Sequence, residues 1–125
     1  MIAIGRTVWV IAEGYIPPDD DSAKPPEFVS HETACILNAG DEAAKVEIML
    51  YFQDKEPVGP YTLTIPARRT HHMRFNDLKT PVPVPRGIEY SSVITSSVPI
   101  VVQHTRLDSR RNDIALLSTT AFPAT

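Results

Sequence analysis

Apolar and polar residues alternate with period two through most of this chain. In Val46-Glu47-Ile48-Met49-Leu50-Tyr51-Phe52, the residues Val46, Ile48, Leu50 and Phe52 share one face, as in a half-buried strand. Tyr61, Leu63 and Ile65 alternate with Thr62 and Thr64, and His71, Met73 and Phe75 alternate with Thr70, His72 and Arg74. Residues 89–97 and 99–107 are rich in Val, Ile, Thr and Ser, which suits two pleated strands on either side of Pro99. Thr7–Ala12, with Trp9 opposite Val8 and Val10, predicts another strand, and Ile114–Ala121 a last one. Seven or eight short strands at this spacing predict an all-β fold, an antiparallel β-sandwich or jelly roll.

Proline placement supports that reading. The chain has 125 residues and 12 prolines. These fall at Pro17-Pro18, Pro25-Pro26, Pro57, Pro60, Pro66, Pro81, Pro83, Pro85, Pro99 and Pro123. Proline lacks an N–H and biases its predecessor toward extended backbone, so a long-helix architecture is excluded. The segment Asp41-Glu42-Ala43-Ala44 could open a helix with Asp41 as N-cap. The turn-like run Asn38-Ala39-Gly40-Asp41 between two apolar stretches instead predicts a hairpin, because the alternation that follows needs a strand. The acidic, proline-flanked stretch Pro17–Pro26 is expected to be a mobile loop.

A length of 125 residues fits one domain spanning residues 1–125, with 42% hydrophobic and 22% charged residues. No apolar run approaches the roughly 18 residues of a membrane span. The N-terminal Met-Ile-Ala-Ile-Gly-Arg lacks the order of a signal peptide. With the single cysteine, Cys35, this predicts a protein of a reducing, cytoplasmic compartment.

Catalytic and metal motifs are absent from the pattern. His71 and His72 are neighbours in a strand and point to opposite faces, and no His-x-His, Glu-x-x-His or Cys-x-x-Cys occurs. Cys35 lies among Ala34, Ile36 and Leu37, surroundings of an inert thiol. Five glycines form neither a phosphate loop nor a nucleophile elbow. Glu13 and Glu32 could approach as a carboxylate pair, although sequence supplies no separation. No enzyme activity, metal or cofactor is therefore expected.

The more telling feature is polar side chains inside apolar strands. Gln103-His104-Thr105-Arg106 follows Ile100-Val101-Val102, and Ser30-His31-Glu32-Thr33 precedes Ala34-Cys35-Ile36-Leu37. Buried polar groups need partners, at about 1–3 kcal/mol for each one left unmade. Two outcomes fit. One is a buried ion-pair network, such as Arg106 with Glu32, that pins the subunit or an oligomer interface. The other is a small-molecule or sugar pocket in which Trp9 supplies an apolar platform for the polar groups. A third reading comes from charge. The net charge of −3 opposes nucleic acid, but Arg68, Arg69, Arg74, Arg110 and Arg111, with His71 and His72, form two basic clusters that could contact DNA phosphates.

Long blocks of the chain resemble the Anabaena sensory rhodopsin transducer family. They are Gly5–Pro18, Ser30–Glu42, Asp54–Tyr61, Pro66–Thr70, Arg74–Leu78 and Val98–Arg110. The chain departs from that family in Asp19–Lys24, in Lys79–Glu89 and just after Arg110. The resemblance implies a soluble cytoplasmic β-sandwich of jelly-roll type that forms a homotetramer and relays the state of a membrane photoreceptor. It also admits DNA binding, and sugar or related small-molecule binding. Carried onto this sequence, the candidate ligand-binding residues are Trp9, Glu13, His31, Glu32, Arg69, Gln103, His104 and Arg106.

Overall fold

A computed structural model describes residues 2–18, 24–111 and 113–125. Of the loop expected over Pro17–Pro26, residues 19–23 lie outside these. Eight strands follow in order: β1 (Arg6–Gly14), β2 (His31–Asn38), β3 (Ala44–Tyr51), β4 (Val58–Ile65), β5 (Arg69–Arg74), β6 (Tyr90–Asp108), β7 (Ala115–Thr120) and β8 (Phe122–Pro123). Two short 3-10 turns, Pro26–Phe28 and Phe75–Asp77, are the helical elements among the described residues. The fold is antiparallel β throughout, as the period-two pattern predicts.

Strand β6 organises the molecule. Over its 19 residues it changes partners. Its first half lies between β1 and β3 in the order β4-β3-β6-β1-β8. Its second half lies between β2 and β7, with β5 beyond β2. The two separate strands expected around Pro99 are thus one strand. Pairing with β3 ends at Ser96 and pairing with β2 begins at Val101. Proline lacks an N–H, so it is tolerated in the gap where neither ladder needs one. Beside it, the Ile100 backbone packs so closely on Gly5, at φ +110°, that a Cβ there would collide with it.

The expected hairpin at Asn38–Asp41 is also corrected. The connection turns without forming a helix, but β2 pairs with β5 and β6 while β3 pairs with β4 and β6. It therefore crosses from one sheet region to the other. Buried Asn38 holds the crossing: its Nδ2 donates to the carbonyls of Glu42 (2.8 Å) and Ile65 (3.1 Å), and its Oδ1 accepts from the Gly40 N–H. A local turn signal cannot tell which strands will pair across it.

Inner faces from both regions fill one core. Trp9 and Ile11 of β1, Ala34 and Ile36 of β2, Val46, Ile48 and Leu50 of β3, Tyr61 and Ile65 of β4, Met73 of β5, and Ile94, Ile100 and Val102 of β6 are buried in it. His71, although in phase with Met73 and Phe75, lies exposed on the edge strand β5.

Candidate functional site

Strand register places the polar residues. Glu32 of β2 opposes Arg106 of β6, which opposes Leu117 of β7; in the next row Ala34, His104 and Thr119 align. Directly opposed residues of adjacent strands share a face. One face of the β2-β6-β7 region therefore carries Glu32, His104, Arg106, Leu117 and Thr119 together.

At its centre is a fully buried carboxylate. Glu32 Oε2 accepts from Arg106 Nε at 2.6 Å, and Oε1 accepts from His104 Nε2 at 2.9 Å, from Arg106 Nη2 at 3.4 Å and from the Tyr15 backbone N–H at 3.2 Å. The backbone of the same residue is held as well: its N–H donates to Asn76 Oδ1 at 3.2 Å, while Asn76 Nδ2 donates to the Ser30 carbonyl at 3.1 Å. A buried ion survives only when such donors replace its water. The hydrogen bond to Glu32 holds the Arg106 guanidinium protonated even beyond its ordinary range. With Nε2 donating to a carboxylate, a neutral His104 ring presents Nδ1 as an acceptor.

In front of this network lies a half-open cavity of about 370 Å³. His104, Arg106 and Glu13 line it together with Leu117, Thr119 and Phe122, and Val10, Ile11, Ala12 and Ala121 supply further apolar wall. Glu13, whose side chain is 83% exposed, brings Oε2 to 3.8 Å from Arg106 Nη1. Glu13 and Glu32 thus flank one guanidinium, an ion-pair arrangement rather than an acid–base dyad. Ala12 and Glu13 also border a second, more polar cleft with Tyr51, Phe52, Gln53 and Glu89. Between the two regions Tyr90 is buried, its ring against Gly14, and neither its hydroxyl nor Ser92 Oγ has a hydrogen-bond partner among the described residues. Burial, reinforced by the nearby Glu32 charge, pushes the Tyr90 phenol well above its ordinary range.

Of the eight predicted ligand residues, Glu13, His104 and Arg106 line the cavity and Glu32 stands directly behind them. The other four lie elsewhere. Trp9 is a core residue, 5% exposed, whose Nε1 donates to the carbonyls of Arg6 and Ile100 at 3.0 Å each, so it is no platform. Gln103 is one residue out of phase with His104 and is exposed on the opposite face. His31 is out of phase with Glu32, and its Nδ1 bonds the Val29 carbonyl at 2.7 Å. Burial lowers the His31 pKa, against the raising effect of that bond. Arg69 opposes Asn38, six residues along β2 from Glu32, which is roughly 20 Å of strand.

The basic clusters are partly neutralised. Arg68 pairs with Asp41 at 2.9 Å and Arg110 with Asp108 at 2.7 Å; Arg69 and Arg74 donate to the carbonyls of Arg68 and Pro26. Arg111 is exposed in the turn before β7 and borders a charged surface cleft with Asp108 and Asp113. Sequence reasoning missed Asn76, the Tyr15 N–H, and the β7–β8 wall of Leu117, Thr119 and Phe122. The run Ile114–Ala121 reads as a possible strand but not as a neighbour of Arg106.

The chain has named counterparts among sequence families and solved structures. The sequence profile of the Anabaena sensory rhodopsin transducer family matches residues 4–123, and the chain belongs to that family. Among solved structures, the Anabaena sensory rhodopsin transducer is 65% identical, covering 84% of this chain and 100% of its own, with a TM-score of 0.77. A Thermotoga maritima protein, numbered 1070, is 36% identical over 94% of each chain, with a TM-score of 0.83. No curated protein matches the chain. The family is named for a sensory transducer, not for an enzyme. No helix among the described residues is long and apolar enough to cross a membrane.

Proposed function

We propose that this protein is a cytoplasmic signal transducer that receives the state of a membrane-embedded sensory rhodopsin, working as a homotetramer of one-domain subunits (residues 1–125) and performing no catalysis. The observation that carries this reading is the 65% identity to the Anabaena sensory rhodopsin transducer along the whole of that chain. Exposed apolar residues Leu116, Leu117 and Phe122, each more than 60% exposed, support self-association. The test is co-purification. Anabaena sensory rhodopsin in detergent should retain the tagged protein on a column, with retention that differs between dark and illuminated states. Retention no greater than for an unrelated membrane protein would reject the proposal.

The cavity favours a second reading, a sugar or related small molecule as a ligand that tunes the transducer. Arg106, Glu13, His104 and Thr119 line the cavity beside its apolar wall, the mixture that orients a small hydroxylated molecule. A ligand at 100 times its Kd raises stability by about 2.7 kcal/mol, seen as a higher Tm in a panel of neutral sugars and metabolites. A panel without any shift at millimolar concentration would remove this reading. DNA binding rests only on the basic clusters, whose Arg68 and Arg110 already have carboxylate partners, and is the least supported.

A further inference from the structure

Two opposite charges at the cavity are incompletely used. Arg106 spends Nε and Nη2 on Glu32, at 2.6 and 3.4 Å. Its Nη1 makes no hydrogen bond among the described residues and stands 3.8 Å from Glu13 Oε2. The Glu13 carboxylate, on a side chain that is 83% exposed, accepts no hydrogen bond among the described residues either. His104 is committed through Nε2, which leaves Nδ1 as an acceptor in the neutral ring. Thr119, directly opposite His104 in the strand register, adds a hydroxyl. All four residues line the cavity. They supply one cationic donor, one anionic acceptor and two neutral groups able to accept.

That set sorts ligands by charge. Glu32 already offsets much of the Arg106 charge, so a simple anion gains little there and meets Glu13 as a like charge. A simple cation would be drawn to Glu13 and repelled by Arg106. An α-amino acid carries both poles on one carbon. Its carboxylate can accept from Arg106 while its ammonium donates to Glu13, with His104 and Thr119 as further acceptors. Opposite charges 3.8 Å apart are close enough for one such zwitterion to span. Charge-assisted hydrogen bonds of this kind are roughly twice as strong as neutral ones. The Glu32 network also fixes the guanidinium before any ligand arrives, which lowers the ordering cost of binding. Beside these groups the wall is apolar, with Val10, Leu117 and Phe122 in it, and the last two are exposed. An apolar side chain laid against them removes that surface from water. The volume of about 370 Å³ is near the lower end for ligand sites, which suits a single amino acid.

We infer that the cavity takes a free amino acid with an apolar side chain, its carboxylate on Arg106 and its ammonium on Glu13. This rests on the small-molecule reading of the same cavity and makes the ligand a zwitterion in place of a neutral sugar.

Calorimetric titration and thermal melts of the full chain test it. L-leucine and L-phenylalanine should bind saturably and raise the Tm. N-acetyl-L-leucine, which lacks the ammonium, and L-leucinamide, which lacks the carboxylate, should each bind about tenfold more weakly or worse. Glu13→Gln alters an exposed side chain, so the Tm without ligand should stay near the wild-type value while L-leucine binds about tenfold more weakly. The same variant should bind N-acetyl-L-leucine no more weakly than wild type does, a result that a general distortion of the cavity would not give. Blocked derivatives that bind as well as L-leucine, or undiminished L-leucine affinity in Glu13→Gln, overturn the zwitterion site. Binding of D-glucose or another neutral sugar with neither amino acid bound also overturns it and leaves the small-molecule reading standing. Absence of binding by sugars and amino acids alike at millimolar concentration overturns both.

Discussion

The cavity has two walls built on opposite principles. One is the Glu32 network on β2 and β6, where a buried carboxylate collects four hydrogen bonds from Arg106, His104 and the Tyr15 backbone. The other is the β7–β8 wall, an edge in which Leu117 and Phe122 are 64% and 67% exposed. Both face the same space. In the first, removing any partner strands a charge without solvent. In the second, a side chain can be exchanged at little cost to folding. A site with one fixed and one adaptable wall can hold its recognition groups rigid while the other side is completed by a ligand or a second subunit.

The sharpest way to break this contrast is Arg106→Met. It leaves Glu32 buried with its principal partner gone and should cost about 3–5 kcal/mol, read as a lower urea midpoint. A loss below 1 kcal/mol would mean that the network is solvated and not fixed. Gly14→Ala comes next: a Cβ there would run into the Tyr90 ring, and overpacking at the network's border should cost about 1–3 kcal/mol. An unchanged Tm would show that Tyr90 can move aside.

A pH titration follows in size. Burial holds the His31 pKa below that of the unfolded chain, and its neighbours Arg74, Glu32 and Asp77 add opposing smaller effects. Below about pH 6.5 the unfolded chain therefore binds the proton more readily than the folded one. The His31 contribution is complete above that pH and is lost as pH falls through the folded value. The slope from this one group is at most about 1.4 kcal/mol per pH unit. His31→Asn, which can still donate to the Val29 carbonyl, should flatten the stability profile between pH 7 and 5, and an unaltered slope would assign it to other groups. Tyr90→Phe removes a buried hydroxyl without a partner among the described residues and should be neutral or stabilising by up to about 1 kcal/mol; a clear loss would reveal a hidden partner. On the other wall, Leu117→Ser should change monomer stability by no more than about 0.5 kcal/mol. A loss approaching that of Arg106→Met would erase the distinction between the two walls.

Period-two alternation made β1, β3, β4 and β5 legible before any coordinates, because each turns part of one face into the core. What it could not convey was partnership. Pro99 reads locally as a strand end, yet it sits in mid-strand where β6 changes neighbours. Asn38-Ala39-Gly40-Asp41 reads locally as a hairpin, yet it crosses between sheet regions. The Glu32–Arg106 pair was legible as a buried polar pair because unpartnered charges are costly. Trp9 was misread for a complementary reason. Its size suggested a ligand platform, but its indole N–H finds two backbone carbonyls inside the core, an outcome set by the tertiary fold. Asn76 and the β7 wall carry no local mark of their roles. Both reach the site through chain segments distant in sequence.

The central claim, that this chain receives the state of a sensory rhodopsin, is tested most directly by calorimetric titration into nanodiscs carrying Anabaena sensory rhodopsin, in darkness and under illumination. The account predicts saturable binding to receptor-loaded discs, no binding to empty discs, and a Kd that changes with light. Heats indistinguishable between loaded and empty discs in both conditions would contradict it.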